Sequence, residues 1–552
     1  MAVESGHVWR TTTEEAHDAV LTHEARRGVE IEHKMSLWQG IRTYPYAVGW
    51  SILLSTAIVM EGFDLVLIGN LYALGPFQKT FGEELQDGTY ELTAAWQAGL
   101  SNGALVGEIL GLFLNGIICD RFGYRKTMMG ALSLVVCFVF IVFFANNLVV
   151  LLIGEILLGI PWGVFQTITL AYASEVCPVV LRPYLTTYAN LCWVFGQLIA
   201  SVRILKIHFN EWAFKIPFAC QWVWPLPIML GVAMAPESPW WLVRKGRLED
   251  ARKVLLRLTS RQGSGFDADG TIAMIERTNE LEKHITEGTS YSDCFKGVNL
   301  RRTEVVCMVW AIQVLCGSTF MGYSTYFYEQ AGLDPSNAFT MSLIQYALGA
   351  IGTISSWFLV SHFGRRTLYM SGQAALTVLL VIAGALGCIP NSGSGVHWAI
   401  GSMLLVFTFC FDATVGPVCY TLVTELSSSR LRTKTIVLAR NLYNVAGIVT
   451  NILTPRMLNP SAWGWGARAG LFWSASCFLC LVWTFFRLPE SMGRTYAELD
   501  LLFERKVPAR KFASTVVDPF ESSGSPTIFE KKDERETVEN VENIATADQD
   551  RD

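Results

Sequence analysis

The sequence predicts an all-α membrane protein with twelve transmembrane helices in two six-helix, pseudo-symmetric halves. Three observations carry that prediction. Only 16% of the 552 residues are charged, against about 25% in an ordinary soluble protein. The charges crowd into residues 1–46, 236–304 and 488–552, and the stretches between are long, apolar and rich in Phe and Trp. Short charged motifs then recur, in the same order, in the two halves of the chain.

A helix needs about 20 apolar residues to cross the hydrocarbon core. Twelve segments meet that length, near 47–70, 95–119, 127–145, 149–173, 184–204, 213–235, 304–328, 338–361, 367–388, 397–424, 434–455 and 467–487. The runs are too long and too continuous for barrel strands, which are about ten residues long and alternate in polarity. Lys and Arg in the short loops set the orientation. One set of loops carries Arg121, Arg125 and Lys126, then Arg182, then Arg365 and Arg366, then Arg430, Arg432 and Lys434. The alternate loops are poorer in positive charge, apart from Arg203, Lys206 and Lys215 after the fifth span, and the loop after the first is acidic, with Glu83, Glu84, Asp87 and Glu91. A cytoplasmic tail (1–46), a cytoplasmic central loop (236–303) and a second cytoplasmic tail (488–552) are therefore expected around halves at 47–235 and 304–487. Residues 1–46 are polar and charged, so the first span is expected to act as the insertion signal. The last tail, Ser-, Thr- and acid-rich from about residue 508, is expected to be disordered. It offers sites for kinases, and Lys531 or Lys532 could accept ubiquitin.

The repeat is legible residue by residue. GIICDRFGYRK at 116–126 answers WFLVSHFGRR at 357–366, YASEVCPVVLRP at 172–183 answers YTLVTELSSSRLRT at 420–433, and PESP at 236–239 answers PES at 489–491. Glu175 precedes Arg182, and Glu425 precedes Arg432, by the same seven residues. Parallel duplication of this kind places a substrate site between the halves, near mid-membrane. Asp120, Arg121, Arg125, Glu175, Arg182, Arg365, Glu425 and Arg432 fall at cytoplasmic helix ends. Such charges can form networks that close one conformation and break in the other. Plain positive-inside topology would explain the charges alone; their repetition favours a gate.

Other classes are excluded or unsupported. The net charge of −5 and the lack of any basic stripe argue against a nucleic-acid partner. The 13 cysteines, among them Cys137, Cys307, Cys410, Cys477 and Cys480, sit mostly in apolar segments without metal-ligand spacing. No nucleophile–base pair or phosphate loop stands out, so an enzyme is not expected, nor a cofactor or metal. A monomer in the bilayer is expected.

Together these motifs resemble the sugar-porter family of the major facilitator superfamily. The residues are GxxxDRFGYRK from Gly116, the Glu175 loop, PESPWWL at 236–242, GPVCY at 416–420 and PESMGRT at 489–495, and the resemblance covers about residues 45–505. MEGFDLVLIG at 60–69, GEILLGIPWG at 154–163 and GYSTYFYEQAGL at 322–333 look like fungal maltose and general α-glucoside permeases. The resemblance implies import of a disaccharide by proton symport at the plasma membrane. A facilitative sugar uniporter, or a non-transporting sugar receptor on the same fold, remain the alternatives. The tail of about 60 residues is short for a receptor's signalling extension.

An ionisable side chain at mid-bilayer costs about 2.5–3.5 kcal/mol on insertion scales and is usually functional. The spans hold Glu61, Asp64, Glu108 and Glu155 against one base, Arg440. Four carboxylates cannot all stay ionised beside a single arginine, so at least one is expected to take and release a proton. In the resembled family the proton-coupling Asp follows a Gly-aromatic pair, which Asp64 in EGFD matches; the family's partner Arg is replaced here by Glu155. Arg440 is then expected to supply Asp64's counter-charge from the other half.

Sugar hydroxyls want donors and acceptors, and ring faces want aromatics. Candidates are Asn190 and Gln197 on the fifth span, Gln313, Thr319 and Tyr323 on the seventh, Tyr420 on the tenth, and Asn441, Tyr443 and Asn444 on the eleventh. By the resemblance, Asn190 stands where the family has a sugar-binding Gln, and Gln313 is the first Gln of the seventh-span motif. Val314, Thr319, Tyr420 and Tyr443 depart from the family's Gln, Asn, Trp and Gln. Glu61 stands where monosaccharide porters have Phe. A site rebuilt in this way implies a substrate other than a simple hexose.

Overall fold

The computed structural model describes residues 34–71, 75–84, 90–204, 215–260, 266–285, 290–322, 328, 335–389, 394–428, 430–458, 463–517 and 529–530. Among these residues eleven helices are long and apolar enough to cross a membrane: Pro45–Gly69, Ala95–Phe122, Tyr124–Phe143, Leu148–Val176, Lys215–Met234, Gly297–Met321, Thr340–His362, Arg365–Leu386, Gly395–Leu426, Arg432–Leu458 and Gly466–Arg487. The twelfth is Arg182–Ile204, 23 residues long. Thr186, Thr187, Asn190 and Gln197 lower its hydropathy, and it lays its buried face against the first, eighth and tenth spans. Numbered in chain order as spans 1 to 12, these helices match the expected segments. The largest shift is at span 7, which begins at Gly297 rather than 304 because Gly297 takes a positive φ and Asn299 and Arg302 are buried in its first turns.

Several spans are interrupted. Span 1 divides into Pro45–Ser55 and Ile58–Leu71, and span 10 into Ser394–Ala413 and Val415–Leu426. Span 7 runs regularly to Gln313, then widens to a π turn over Val314–Ser318 before ending in Thr319–Gly322. Gly317 within it has φ 94°, a left-handed conformation that glycine adopts without strain. Wide turns of this kind interrupt the hydrogen-bond ladder and recur at functional sites.

Close approach of spans 2 and 4 is built from glycine. Gly107 and Gly111 on span 2 face the backbone carbonyls of Ile156 and Ile160, and Gly159 on span 4 faces that of Ala104. Any Cβ there would collide with main chain. Small residues at four-residue spacing let membrane helices pack where no hydrophobic drive exists between them.

Helix starts at the end of the bundle that carries the central loop repeat between the halves. Glu237 accepts from the backbone N–H groups of Tyr124 (2.9 Å) and Arg125 (3.3 Å), the first turn of span 3. Glu490 does the same for Arg365 (2.9 Å) and Arg366 (3.1 Å) at span 9. A carboxylate there satisfies orphan donors and suits the positive end of the helix dipole. Burial pushes the Glu237 carboxyl up, and the three backbone donors, Ser238, Tyr124 and Arg125, pull it back.

Between the halves lie helices Pro239–Arg244, Leu248–Leu258 and Ala268–Ile285, and helix Tyr496–Glu504 follows span 12. They share a small core of Trp240, Leu242, Val243, Ala251, Ala273, Met274, Ile275 and Tyr496. The tail is ordered further than its composition implies. Residues 508–517 fold back, with Phe512 fully buried against Phe503 (ring centroids 5.1 Å apart). Arg494 donates to the carbonyls of Phe512 (3.1 Å) and Thr515 (2.7 Å). One aromatic and one arginine thus override a polar stretch. Lys531 and Lys532 lie outside the described residues.

Gly107→Val should separate spans 2 and 4 and lower stability by about 1–3 kcal/mol or more, the usual range for overpacking. Gly99→Val on the same helix, where no atom stands within 4 Å of a new Cβ, should be tolerated. Thermal-shift size-exclusion profiles of detergent-solubilised protein check both.

Candidate functional site

The centre of the molecule holds an ion triad that joins the halves. Arg440 on span 11 donates through Nε to Glu108 Oε1 of span 2 (2.8 Å) and through an Nη to Glu61 Oε1 of span 1 (3.1 Å). Gln166 of span 4 donates to the other Glu61 oxygen at 2.6 Å. The guanidinium also lies 4.2 Å from the ring centroid of Tyr443 and 4.9 Å from that of Trp310. All three charged side chains are at most 3% exposed. Two carboxylates share one arginine, so the group carries an acid in excess.

Asp64 is placed elsewhere. Although Glu61 and Asp64 are three apart, a residue pair at that spacing is rotated by about 60° around the helix. Asp64 turns towards spans 4 and 6, where Gln221 donates to its Oδ1 and Glu155 and Trp162 abut its other side. Among the described residues its Oδ2 and both Glu155 oxygens have no hydrogen-bond partner at good geometry. The expected Arg440–Asp64 pairing is therefore corrected: Arg440 serves Glu61 and Glu108, and Asp64 faces a second acid.

Of the polar candidates, Tyr443 stands against the triad and Tyr420 against Trp310 beside it, while the others are spread along spans 5, 7 and 11. Tyr420 and Tyr443 meet Trp310 edge-on, with centroids 5.0 and 5.5 Å apart. Gln313 donates to the Gly416 carbonyl at 3.0 Å, just before the π turn. Thr319 accepts from Thr454 at 3.4 Å. Asn441 and Asn444 are buried, and neither amide has a hydrogen-bond partner among the described residues. Orphaned buried amides are rare and call for a water or ligand. Asn190 donates to Thr353 Oγ1 (3.1 Å) and to Asp412 Oδ1 (3.5 Å) across the halves. Gln197, half-buried, makes no side-chain hydrogen bond among the described residues, and Tyr323 lies outside them.

Sequence reasoning missed several partners. The count of four intramembrane acids omits Asp412, a fifth, buried inside span 10. A lone acid within the apolar run FTFCFDATVG was the available signal. Gln166, Gln221 and Trp310 carried none, since one amide or indole in an apolar helix looks like packing.

At the end of the bundle that carries the central loop, the charges pair both within and across the halves. Glu175 binds Arg244 (3.1 Å), Arg432 of the other half (3.3 Å) and the Ser238 hydroxyl. Its counterpart Glu425 binds Arg365 (3.4 Å) and the Ser491 hydroxyl (2.6 Å). Asp120 pairs with Lys434 across the halves. Arg125 and Arg366 occupy equivalent places, each donating to a carbonyl at the end of span 6 or 12, Ala233 and Phe485. The expected grouping of Glu175 with Arg121, Arg125 and Arg182 does not form. Arg121 is exposed and makes no ion pair among the described residues. Arg182 instead stacks on Tyr496 at 4.0 Å, and Arg432 stacks on the same ring, also at 4.0 Å.

Residues 50–503 match the family described as Sugar (and other) transporter. The chain belongs to this family. It is 46% identical over 506 residues to the general alpha-glucoside permease of Saccharomyces cerevisiae, covering 90% of this chain and 82% of the relative. It is 44% identical to a maltose permease of the same species, covering 94% and 85%. In fold it is similar to the proton:xylose symporter XylE bound to 6-bromo-6-deoxy-D-glucose, with a TM-score of 0.72 at 19% identity over 83% of this chain and 99% of that one. The inward open conformation of XylE from E. coli scores 0.61, also at 19% identity, over 83% and 99%. The protein is thus a multi-pass membrane transporter with the twelve-helix major facilitator fold.

Arg432→Gln should weaken closure at this end of the bundle. Arg244 and Ser238 still hold Glu175, so the loss stays below the about 3–5 kcal/mol of a fully orphaned buried charge. Distances between spin labels at the Val176 end of span 4 and the Arg432 end of span 11 should lengthen; an unchanged distribution contradicts a gate here.

Proposed function

We propose that the protein imports an α-glucoside disaccharide of the maltose type together with a proton, by alternating access across the plasma membrane. Both termini face the cytoplasm. The halves at 47–235 and 304–487 move against each other, and 236–303 links them at the cytoplasmic face. One observation carries the reading: a single buried arginine on span 11 holds two carboxylates from spans 1 and 2, across the interface that must part. Protonating either acid weakens that bridge, because a neutral carboxyl gives up the ionic part of the contact. Proton binding is thereby linked to movement of the halves. Asp64 and Glu155, in contact without a base, cannot both be ionised and form a second place to hold a proton.

The polar and aromatic candidates suit a sugar. Asn441 and Asn444 offer unpaired amides, Gln313 and Asn190 offer further polar groups, and Trp310, Tyr420 and Tyr443 offer ring faces. The relatives named alpha-glucoside and maltose permeases support that substrate class. The chain acts as a monomer, and modification of its C-terminal tail would regulate its residence at the membrane.

Adding maltose to de-energised cells that express the protein should alkalinise the medium; uptake without alkalinisation makes it a uniporter. Asp64→Asn, Glu61→Gln and Glu108→Gln should each lower the ratio of protons to maltose. An undiminished ratio in all three refutes the coupling. Asn444→Ala should raise the KM for maltose by roughly 5–30-fold, equivalent to losing about 1–2 kcal/mol of hydrogen bonding.

A further inference from the structure

Asp412 belongs to neither acid group described above. It lies near the end of Ser394–Ala413, one residue before the break in span 10, and is 7% exposed. Its Oδ1 meets the Asn190 amide at 3.5 Å, and that amide also donates to Thr353. Its two oxygens lie against Gly416 of span 10 and Gly349 of span 8, which leave room for the carboxyl and contribute no charge. The groups facing it are thus Asn190 from span 5, Thr353 and Gly349 from span 8 and Gly416 from its own span. Among the described residues no cation pairs with it and no second carboxylate faces it.

The position matters as much as the surroundings. Spans 5, 8 and 10 meet along a seam that runs inward from the cytoplasmic face. Thr186 meets Thr421 at 3.0 Å, the Trp357 indole donates to Thr187 at 2.8 Å, and Asn190 meets Asp412 and Thr353 next. Asn190 is eight residues, about 12 Å of helix, beyond Arg182 at the cytoplasmic end. Asp412 is therefore on the innermost rung of a seam between the halves. An isolated buried carboxylate is costly unless paired, and it takes a proton instead.

We propose that Asp412 is a further proton-binding residue of the transport cycle, which keeps its proton while the seam of spans 5, 8 and 10 is closed and releases it to the cytoplasmic side when the seam opens. The step is a simple dissociation: the carboxyl O–H bond breaks, the electron pair stays on Asp412, and water in the opened vestibule takes the proton. The neutral form favours the closed seam and the ionised form favours the open one. Acid on the cytoplasmic side therefore restrains opening. This rests on the alternating movement of the halves proposed above, but on a group outside the Arg440 triad and the Asp64 pair.

The test is maltose counterflow in right-side-out vesicles of the full-length protein, with pH varied only on the inner face. Counterflow needs no net proton flux, so it reports opening and not driving force. Wild-type exchange should slow as the inner face is acidified, by at most about tenfold per pH unit, the limit for one proton. Asp412→Asn should still exchange maltose but lose that dependence, and Asp412→Glu should retain it. Should the Asn variant fail to fold, Asp412→Ser, smaller and equally unable to titrate, makes the same comparison. The proposal is overturned if wild-type exchange ignores inner-face pH, if Asp412→Asn keeps the wild-type dependence, or if the variant changes only the KM for maltose, which would make Asp412 a sugar contact. Maltose-driven alkalinisation by the wild type, measured in parallel, tells failure of this proposal from failure of symport itself.

Discussion

The molecule is organised around one guanidinium that cannot be left alone in a membrane. Arg440 lies near mid-span, and every element that reaches it does so because removing its partners would strand a charge in a medium of low dielectric. Glu61 and Glu108 supply counter-charge from the other half, while Trp310 and Tyr443 cover its faces with rings. At their centre the halves are therefore joined by an ionic contact and not by apolar packing alone. A bond of that type is sensitive to the protonation state of its acids, whereas a packed apolar seam would not be. The orphan amides of Asn441 and Asn444 sit within a turn of the same arginine. The arginine that bridges the two acids and the amides open to a hydroxyl are thus neighbours on span 11.

Around this centre the two halves repeat their local solutions and depart from symmetry where they touch. Glu237 and Glu490 cap equivalent helices, Ser238 and Ser491 bind equivalent glutamates, and Arg125 and Arg366 reach equivalent carbonyls. Each of these contacts stays within one half and its adjoining loop, so movement between halves leaves it intact. The contacts that cross are different in the two directions. Arg432 reaches over to Glu175, but Arg182 does not reach Glu425. Its place is taken by the Tyr496 ring, which both arginines flank.

Much of this was legible in the sequence, because the strongest constraints are local. Span length follows from bilayer thickness, orientation from Lys and Arg, and the duplicated motifs from short loops whose residues act on nearby helix ends. Pairing across the bundle was not legible. The three-residue spacing of Glu61 and Asp64 reads as one face, yet the remaining rotation is enough to send them to different neighbours. Arg440 was recognisable as the sole intramembrane base, but its choice of acids depends on how spans 2 and 11 cross, which no linear pattern encodes. Asp412 was visible and passed over, since a single acid among phenylalanines carries no motif. The fold of residues 508–517 was hidden by composition: a Ser- and Thr-rich stretch reads as disordered until Phe512 finds Phe503 and Arg494 gathers its carbonyls.

The place of Tyr496 in the chain has a consequence for biogenesis. The ring on which Arg182 and Arg432 both stack belongs to a helix translated after all twelve spans. Without that ring Arg432 still has Glu175 and Arg182 still has the Cys177 carbonyl, but neither guanidinium has its face covered. The contact between the halves at this end is thus completed by chain that is translated after the last span.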